Sequence, residues 1–157
     1  DNALRRNEIA QTNIGDFNPV SRTLKIIGKG KGTQTQTINL TVATTKALTV
    51  WLDARGEVRA DAPLFCALDT ANKGHRLTGE AMRYTVDKLS QKAGISKKMS
   101  PHRIRHSSIT AALDATDGNI RKVQKLSRHT KIETLLIYDD NRSNDQQELS
   151  DLLAEML

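Results

Sequence analysis

The sequence predicts a mainly helical α+β domain with one small antiparallel sheet. Three observations lead there. Two β-prone runs flank a glycine-rich turn within residues 23–40. Apolar residues in most of the remaining chain recur at helical spacing, and capping residues stand where those runs begin or end. With 157 residues the chain is one ordinary domain in size and can bury a core without a disulfide staple.

The elements follow in order. Asn18-Pro19 marks a turn, after which Thr23 to Ile27 reads as a strand. Gly28-Lys29-Gly30-Lys31-Gly32 interrupts it, and Thr33 to Leu40 alternates β-branched and polar residues like a half-exposed partner strand. Together they form a hairpin with a basic tip. Ala47, Leu48, Trp51 and Leu52 suit a helix, while Met82, Val86, Leu89 and Ala93 form the stripe of another that ends at Gly94. His75 falls in a loop after Lys73-Gly74.

Ser100-Pro101 is a helix start, with serine as the cap and proline at the first helical position, where its missing N–H costs nothing. His102 and Arg105, three apart, are then expected to share an outward face while Ile104 and Ile109 turn to the core. A further helix, capped by Asp117, buries Ile120, Val123 and Leu126 and exposes Arg121, Lys122 and Lys125. Thr130-Lys131-Ile132-Glu133 fits a capping box, which leaves His129 in the preceding turn and puts Leu135, Leu136 and Tyr138 on the helix it opens. In the tail, residues 143–157 form a last helix with Leu149, Leu152, Leu153 and Met156 at i, i+3, i+4, i+7.

Charge narrows the partner. The net charge is +6, yet residues 139–157 hold six acids and one base, leaving 23 bases against 12 acids in residues 1–138. Bases concentrate at Lys97 to Arg105 and Arg121 to Lys131, as on a surface that binds phosphates. A solvated basic face is the plainer alternative. One cysteine, Cys66, excludes an internal disulfide framework, and no apolar run approaches the roughly 18 residues of a membrane span. A soluble, intracellular protein without a signal peptide is expected. The segment Asp1 to Ile9 reads as the middle of a helix, so the chain is expected to begin inside a longer protein.

His102, Arg105, His129 and Tyr138 supply two acid/base groups, a fixed cation and a phenol. That set suits attack by a tyrosine on a phosphodiester. Zinc is the rival for the histidines, because His102 and His106 have i, i+4 spacing and His129 offers a third nitrogen. The Glu of a His-Glu-x-x-His motif is absent, and Arg103 and Arg105 would repel a dication. No metal or other cofactor is expected.

These residues resemble a family. Ser100-Pro101-His102-Arg103-Ile104-Arg105-His106 is similar to the His-x-x-Arg box of the tyrosine recombinases, the phage integrase and Xer type. Leu126-Ser127-Arg128-His129-Thr130 resembles their second histidine box, and Ile137-Tyr138 the nucleophile. Ala3-Leu4-Arg5-Arg6-Asn7-Glu8-Ile9 is similar to the first arginine box, usually written Gly-Leu-Arg-x-x-Glu-Leu. Ile27 to Lys31 resembles the hairpin that delivers a catalytic lysine, with Lys29 the best match. Arg128 stands where family members often have glycine.

The resemblance implies a catalytic domain over residues 1–157, preceded in the family by further helices and a DNA-clamping core-binding domain. It implies Tyr138 as nucleophile, Arg5 and Arg105 as phosphate clamp, Lys29 as general acid, His102 assisting proton movement and His129 stabilising the phosphoryl oxygens. Glu8 and His106 support them, and Arg6, Lys31, Arg103, Arg121, Lys122, Lys125 and Arg128 are candidate DNA contacts. The implied partner is double-stranded DNA, bound by a homotetramer. The C-terminal helix either docks on a neighbouring protomer or packs in cis. A type IB topoisomerase and a non-catalytic DNA-binding regulator are the alternative functions.

Overall fold

A computed structural model describes residues 1–28, 35–56, 59–139 and 145–156. The hairpin tip, with Lys29 and Lys31, lies outside the described residues. The chain divides within one helix into two compact units, Asp1–Ser108 and Ile109–Leu157.

In the first unit, α1 (Arg6–Ala10) and a short 3-10 turn lead into a three-stranded antiparallel sheet of β1 (Phe17–Asn18), β2 (Thr23–Ile27) and β3 (Thr35–Asn39), in that order. The predicted hairpin is β2 and β3, with Leu24 opposite Ile38 and Ile26 opposite Gln36. Leu24 and Ile26 of β2 point inward with Lys25 in solvent, as period-2 alternation requires, whereas in β3 only Ile38 is buried and Thr35, Gln36 and Thr37 are all exposed. Phe17, Leu40, Leu48 and Leu64 complete this core. Each such buried side chain stabilises by about 1.5–3 kcal/mol relative to exposure.

Thr41 caps α2 (Val42–Arg55) by accepting from the Thr44 N–H. From that helix Trp51 Nε1 donates to the Leu64 carbonyl at 2.8 Å, and Arg55 Nη1 to the Pro63 carbonyl at 2.7 Å, which pins the returning chain. Thr78 caps α3 (Gly79–Lys92), and Gly94 follows it at φ +72°, the left-handed stop expected there. The predicted stripe differs at its end: Leu89 is 59% exposed, and Ser90 is buried in its stead. The buried line therefore runs Met82 to Ser90, eight residues apart on one face, rather than Met82 to Leu89.

The second unit comprises the end of α4 (Pro101–Asp114), α5 (Ile120–Ser127), α6 (Glu133–Asp139) and α7 (Asp145–Glu155). Among its described residues, Ile109, Leu113, Val123 and Leu135 are the buried apolar ones, while Ile120 and Leu126 are half-buried. The cap of α5 is Asn119, not Asp117: its Oδ1 accepts from the Lys122 N–H at 3.1 Å. Asp117 and Gly118 instead adopt positive φ, which turns the chain between α4 and α5. Helix α6 begins at Glu133, two residues later than a cap at Thr130 would start it. Among the described residues, no helix is long and apolar enough to cross a membrane.

Candidate active site

Arg5 occupies the N-cap position of α1 in extended conformation. Glu8, three residues on and 2% exposed, accepts from the Arg5 backbone N–H at 2.7 Å and from Arg5 Nη1 at 2.8 Å. A buried carboxylate is tolerated only when paired and hydrogen-bonded, so Glu8 holds the guanidinium while Arg5 stays 26% exposed. Arg6 projects elsewhere. Its side chain lies over Gly79 at the start of α3, where a Cβ would come within 2.8 Å of Arg6 Nε.

Helix α4 starts as the Ser-Pro pair predicts, with Ser100 Oγ accepting from the Arg103 N–H at 3.2 Å. Its facing differs from expectation. Arg105 is 6% exposed, and Ile104, expected in the core, is 44% exposed. The inward stripe runs Arg105, Ile109, Leu113, at i, i+4, i+8, and Ile104 sits one position off it. Arg105 Nη1 donates to the Ala3 carbonyl. Ala3 itself is buried at φ +44°, in the left-handed region, at the position the arginine box usually gives to glycine.

His102 is exposed on the first turn of α4, as expected, and its Nε2 lies 2.7 Å from Nε2 of His106. The rings meet edge to face, 4.1 Å between centroids and 71° apart. Burial, and then the nearby charges of His102 and Arg105, push the His106 imidazole below the usual histidine value. The two nitrogens face each other rather than a common metal position. Among the described residues, no group of three His, Cys, Asp or Glu side chains converges to hold a metal. Arg103 Nη1 donates to the Lys98 carbonyl at 2.5 Å, which ties it to the loop before the helix.

The second unit carries the other two residues. His129 lies in the α5–α6 turn, where Ser127 Oγ is 3.0 Å from its Nδ1 and Gln124 Nε2 donates to its carbonyl at 3.0 Å. Tyr138, half-buried on α6, places its ring 6.5 Å from the His129 ring, tilted by 34°. Arg128 closes α5 at φ +57°, ψ +37°, the conformation a glycine adopts most readily, and its Nη1 donates to the Leu126 carbonyl at 2.8 Å. Arg121, Lys122 and Lys125 are exposed along one side of α5.

Each unit thus gathers its own part. Arg5, Glu8, His102, Arg105 and His106 belong to the first, and His129 and Tyr138 to the second. Reasoning from sequence missed Ser127 and Gln124, whose only signal is their place within or beside the second histidine box. It missed Ala3 as well, where the departure from glycine was the available sign.

The fold is a helical α+β domain, with the two arginine boxes joined in its first unit and a histidine turn beside a tyrosine in its second. Residues 1–145 match the model of the phage integrase family, and the chain belongs to that family. It is 52% identical over 157 residues to the tyrosine recombinase slr0733 of Synechocystis sp., covering 100% of this chain and 50% of that protein. Two solved structures superpose on it with TM-scores of 0.74 at 26% identity. One is the XerA recombinase, covering 99% of this chain and 52% of that one. The other is the XerH site-specific recombinase bound to palindromic difH substrate in a post-cleavage complex, covering 98% and 43%. The chain spans about half the length of these proteins.

Proposed function

We propose that this chain is the catalytic part of a site-specific DNA recombinase. Tyr138 Oη attacks a backbone phosphorus and displaces the 5′-oxygen, which leaves a 3′-phosphotyrosyl ester. Attack on that ester by a second 5′-hydroxyl releases the tyrosine and rejoins the strand. One phosphoester bond breaks for each that forms, so the exchange needs neither ATP nor a metal.

The phosphoryl oxygens gain charge as the bond to tyrosine forms, and the planar guanidinium groups of Arg5 and Arg105 suit them. Each contributes on the order of 3 kcal/mol of transition-state stabilisation, by the measure of a lost oxyanion donor. His129 adds a donor beside the nucleophile. His102 assists proton movement and Lys29 protonates the leaving oxygen. Arg121, Lys122, Lys125, Arg128, Arg6, Arg103 and Lys31 contact the DNA backbone.

The observation that carries this reading is the bond from Arg105 to Ala3, which draws together two arginine boxes a hundred residues apart in sequence. Its companion is the His129–Tyr138 proximity within the second unit. The XerH recombinase is bound to palindromic difH substrate, and that likeness supports double-stranded DNA as the partner here. Leu152, Leu153 and Met156 are exposed on α7, in keeping with a C-terminal helix that docks on a neighbouring protomer of a DNA-bound homotetramer. A cytoplasmic location at the nucleoid follows from that role.

Nicked suicide DNA, which loses the strand needed for religation, tests the reading with the natural full-length protein. A covalent protein–DNA adduct is expected, and Tyr138→Phe should remove it while DNA affinity stays within about 2-fold, because the phenol contributes chemistry rather than charge. No adduct with the wild type, or an undiminished one with Tyr138→Phe, rejects it. Exchanged strands rather than relaxed circles alone distinguish recombination from topoisomerase action.

A further inference from the structure

The geometry points to His106 as the residue that sets the tautomer of His102, so that His102 carries hydrogen on Nε2 and exchanges protons at Nδ1. The consequence for catalysis rests on the reading of His102 as a proton-transfer group given above. The tautomer itself does not.

The two Nε2 atoms are 2.7 Å apart, a distance that one shared hydrogen explains and two would forbid. One ring donates and the other accepts. Suppose His106 donated. His102 would then hold its hydrogen on Nδ1, and a second proton would have to enter at Nε2, against the His106 N–H. Protonation would break the pair. With His102 as donor, Nδ1 takes up and releases a proton while the bond between the rings persists. Only this arrangement lets His102 pass a proton at Nδ1 while the contact between the two rings is kept.

The surroundings favour the same assignment. Burial first, then the charges of His102 and of Arg105, buried on the adjacent face of α4, disfavour a cation at His106. A neutral His106 stays an acceptor when His102 is charged. The i, i+4 spacing on α4 keeps the rings in register, and the Ser100 cap holds the first turn that carries His102. The logic is that of an acid/base histidine held by a second group at its far nitrogen, with an imidazole in the place usually taken by a carboxylate.

His106 is therefore a positioning residue, and its role is separable from packing. Nitrogen NMR of the imidazole rings in the natural full-length protein should show His102 as the Nε2–H tautomer. In His106→Phe, which keeps ring volume but offers no acceptor, His102 should populate both tautomers. Adduct formation at saturating nicked DNA should then slow by on the order of 10-fold, a fraction of the roughly 10²- to 10⁴-fold that a positioned acid or base contributes, because His102 itself is retained. His106→Gln restores an acceptor near the same place and should restore both the tautomer and most of the rate. An Nδ1–H tautomer in the wild type overturns the inference, as does a His102 tautomer that His106→Phe leaves unchanged. Equal slowing in Phe and Gln variants assigns His106 to packing alone. If the wild type forms no adduct, the proposed function fails, while the NMR result still decides the tautomer.

Discussion

Arg105 donates from Nη1 to the carbonyl oxygen of Ala3, two residues before Arg5. The bond joins the first turns of α4 to the residue that leads into α1, so the two candidate phosphate-binding arginines are held by one local arrangement. It also accounts for the backbone of Ala3. Turning that carbonyl toward Arg105 goes with a φ of +44°, which a non-glycine residue adopts only when its surroundings compel it.

Arg105→Lys should cost far more than its charge conservation suggests. A lysine ammonium cannot reproduce the planar fork, and losing a buried, charge-assisted bond costs about 1–3 kcal/mol. Urea denaturation should report that loss, and single-turnover adduct formation should fall by roughly 10²-fold, as for a lost oxyanion donor. A variant with wild-type stability and rate would show that the bond to Ala3 carries little.

Arg128→Gly should separate folding from DNA binding. A left-handed non-glycine residue costs roughly 1–2 kcal/mol, partly offset in the variant by the greater entropy of glycine in the unfolded chain and by the lost bond to Leu126. The expected net effect is a gain of up to about 1 kcal/mol in thermal or urea unfolding. DNA affinity should fall at the same time, with the salt slope shallower by about one.

The exposed bases of α5 make a quantitative case. Replacing Arg121, Lys122 and Lys125 together by glutamine removes three candidate phosphate contacts without touching the buried side of the helix. The slope of log affinity against log salt should drop by about 0.9 per lost contact, and the loss should be similar on unrelated DNA sequences. An unchanged slope would make this face merely solvated.

Stability should depend on pH through His106. Its folded value lies below the ordinary histidine value, so the unfolded chain binds the proton more readily than the native one. The contribution to stability is therefore present above the unfolded value of about 6.5 and is lost as pH falls from there toward the folded value. Melting temperatures measured across that window should decline on acidification, and less so in His106→Gln. A decline of the same size in the variant would assign it to other groups.

Much of the fold was legible because it is written locally. The Thr23–Ile27 and Thr35–Asn39 strands follow from alternation and a glycine turn, and the Ser100-Pro101 start and the Gly94 stop follow from the chemistry of helix ends. The candidate residues were legible too, since Tyr138, His129, His102, Arg105 and Arg5 belong to short runs that carry their own pattern. The capping of α5 was misread because Asp117 and Asn119 are both good caps, and only the positive φ at Asp117 and Gly118 decides between them.

By itself, the sequence determined the candidate site residues, the order of helices and strands, and the basic character of the body of the chain. Tertiary structure alone decided that Arg105 turns inward and Ile104 outward, that Leu89 stays in solvent, and that His102 meets His106. The physical reason is angular. Neighbouring positions on a helix differ by about 100°, so spacing names the residues that share a stripe but not which stripe finds the core. That choice belongs to packing, and here the Ala3 carbonyl, contributed by a segment a hundred residues away in sequence, gives the Arg105 side its partner.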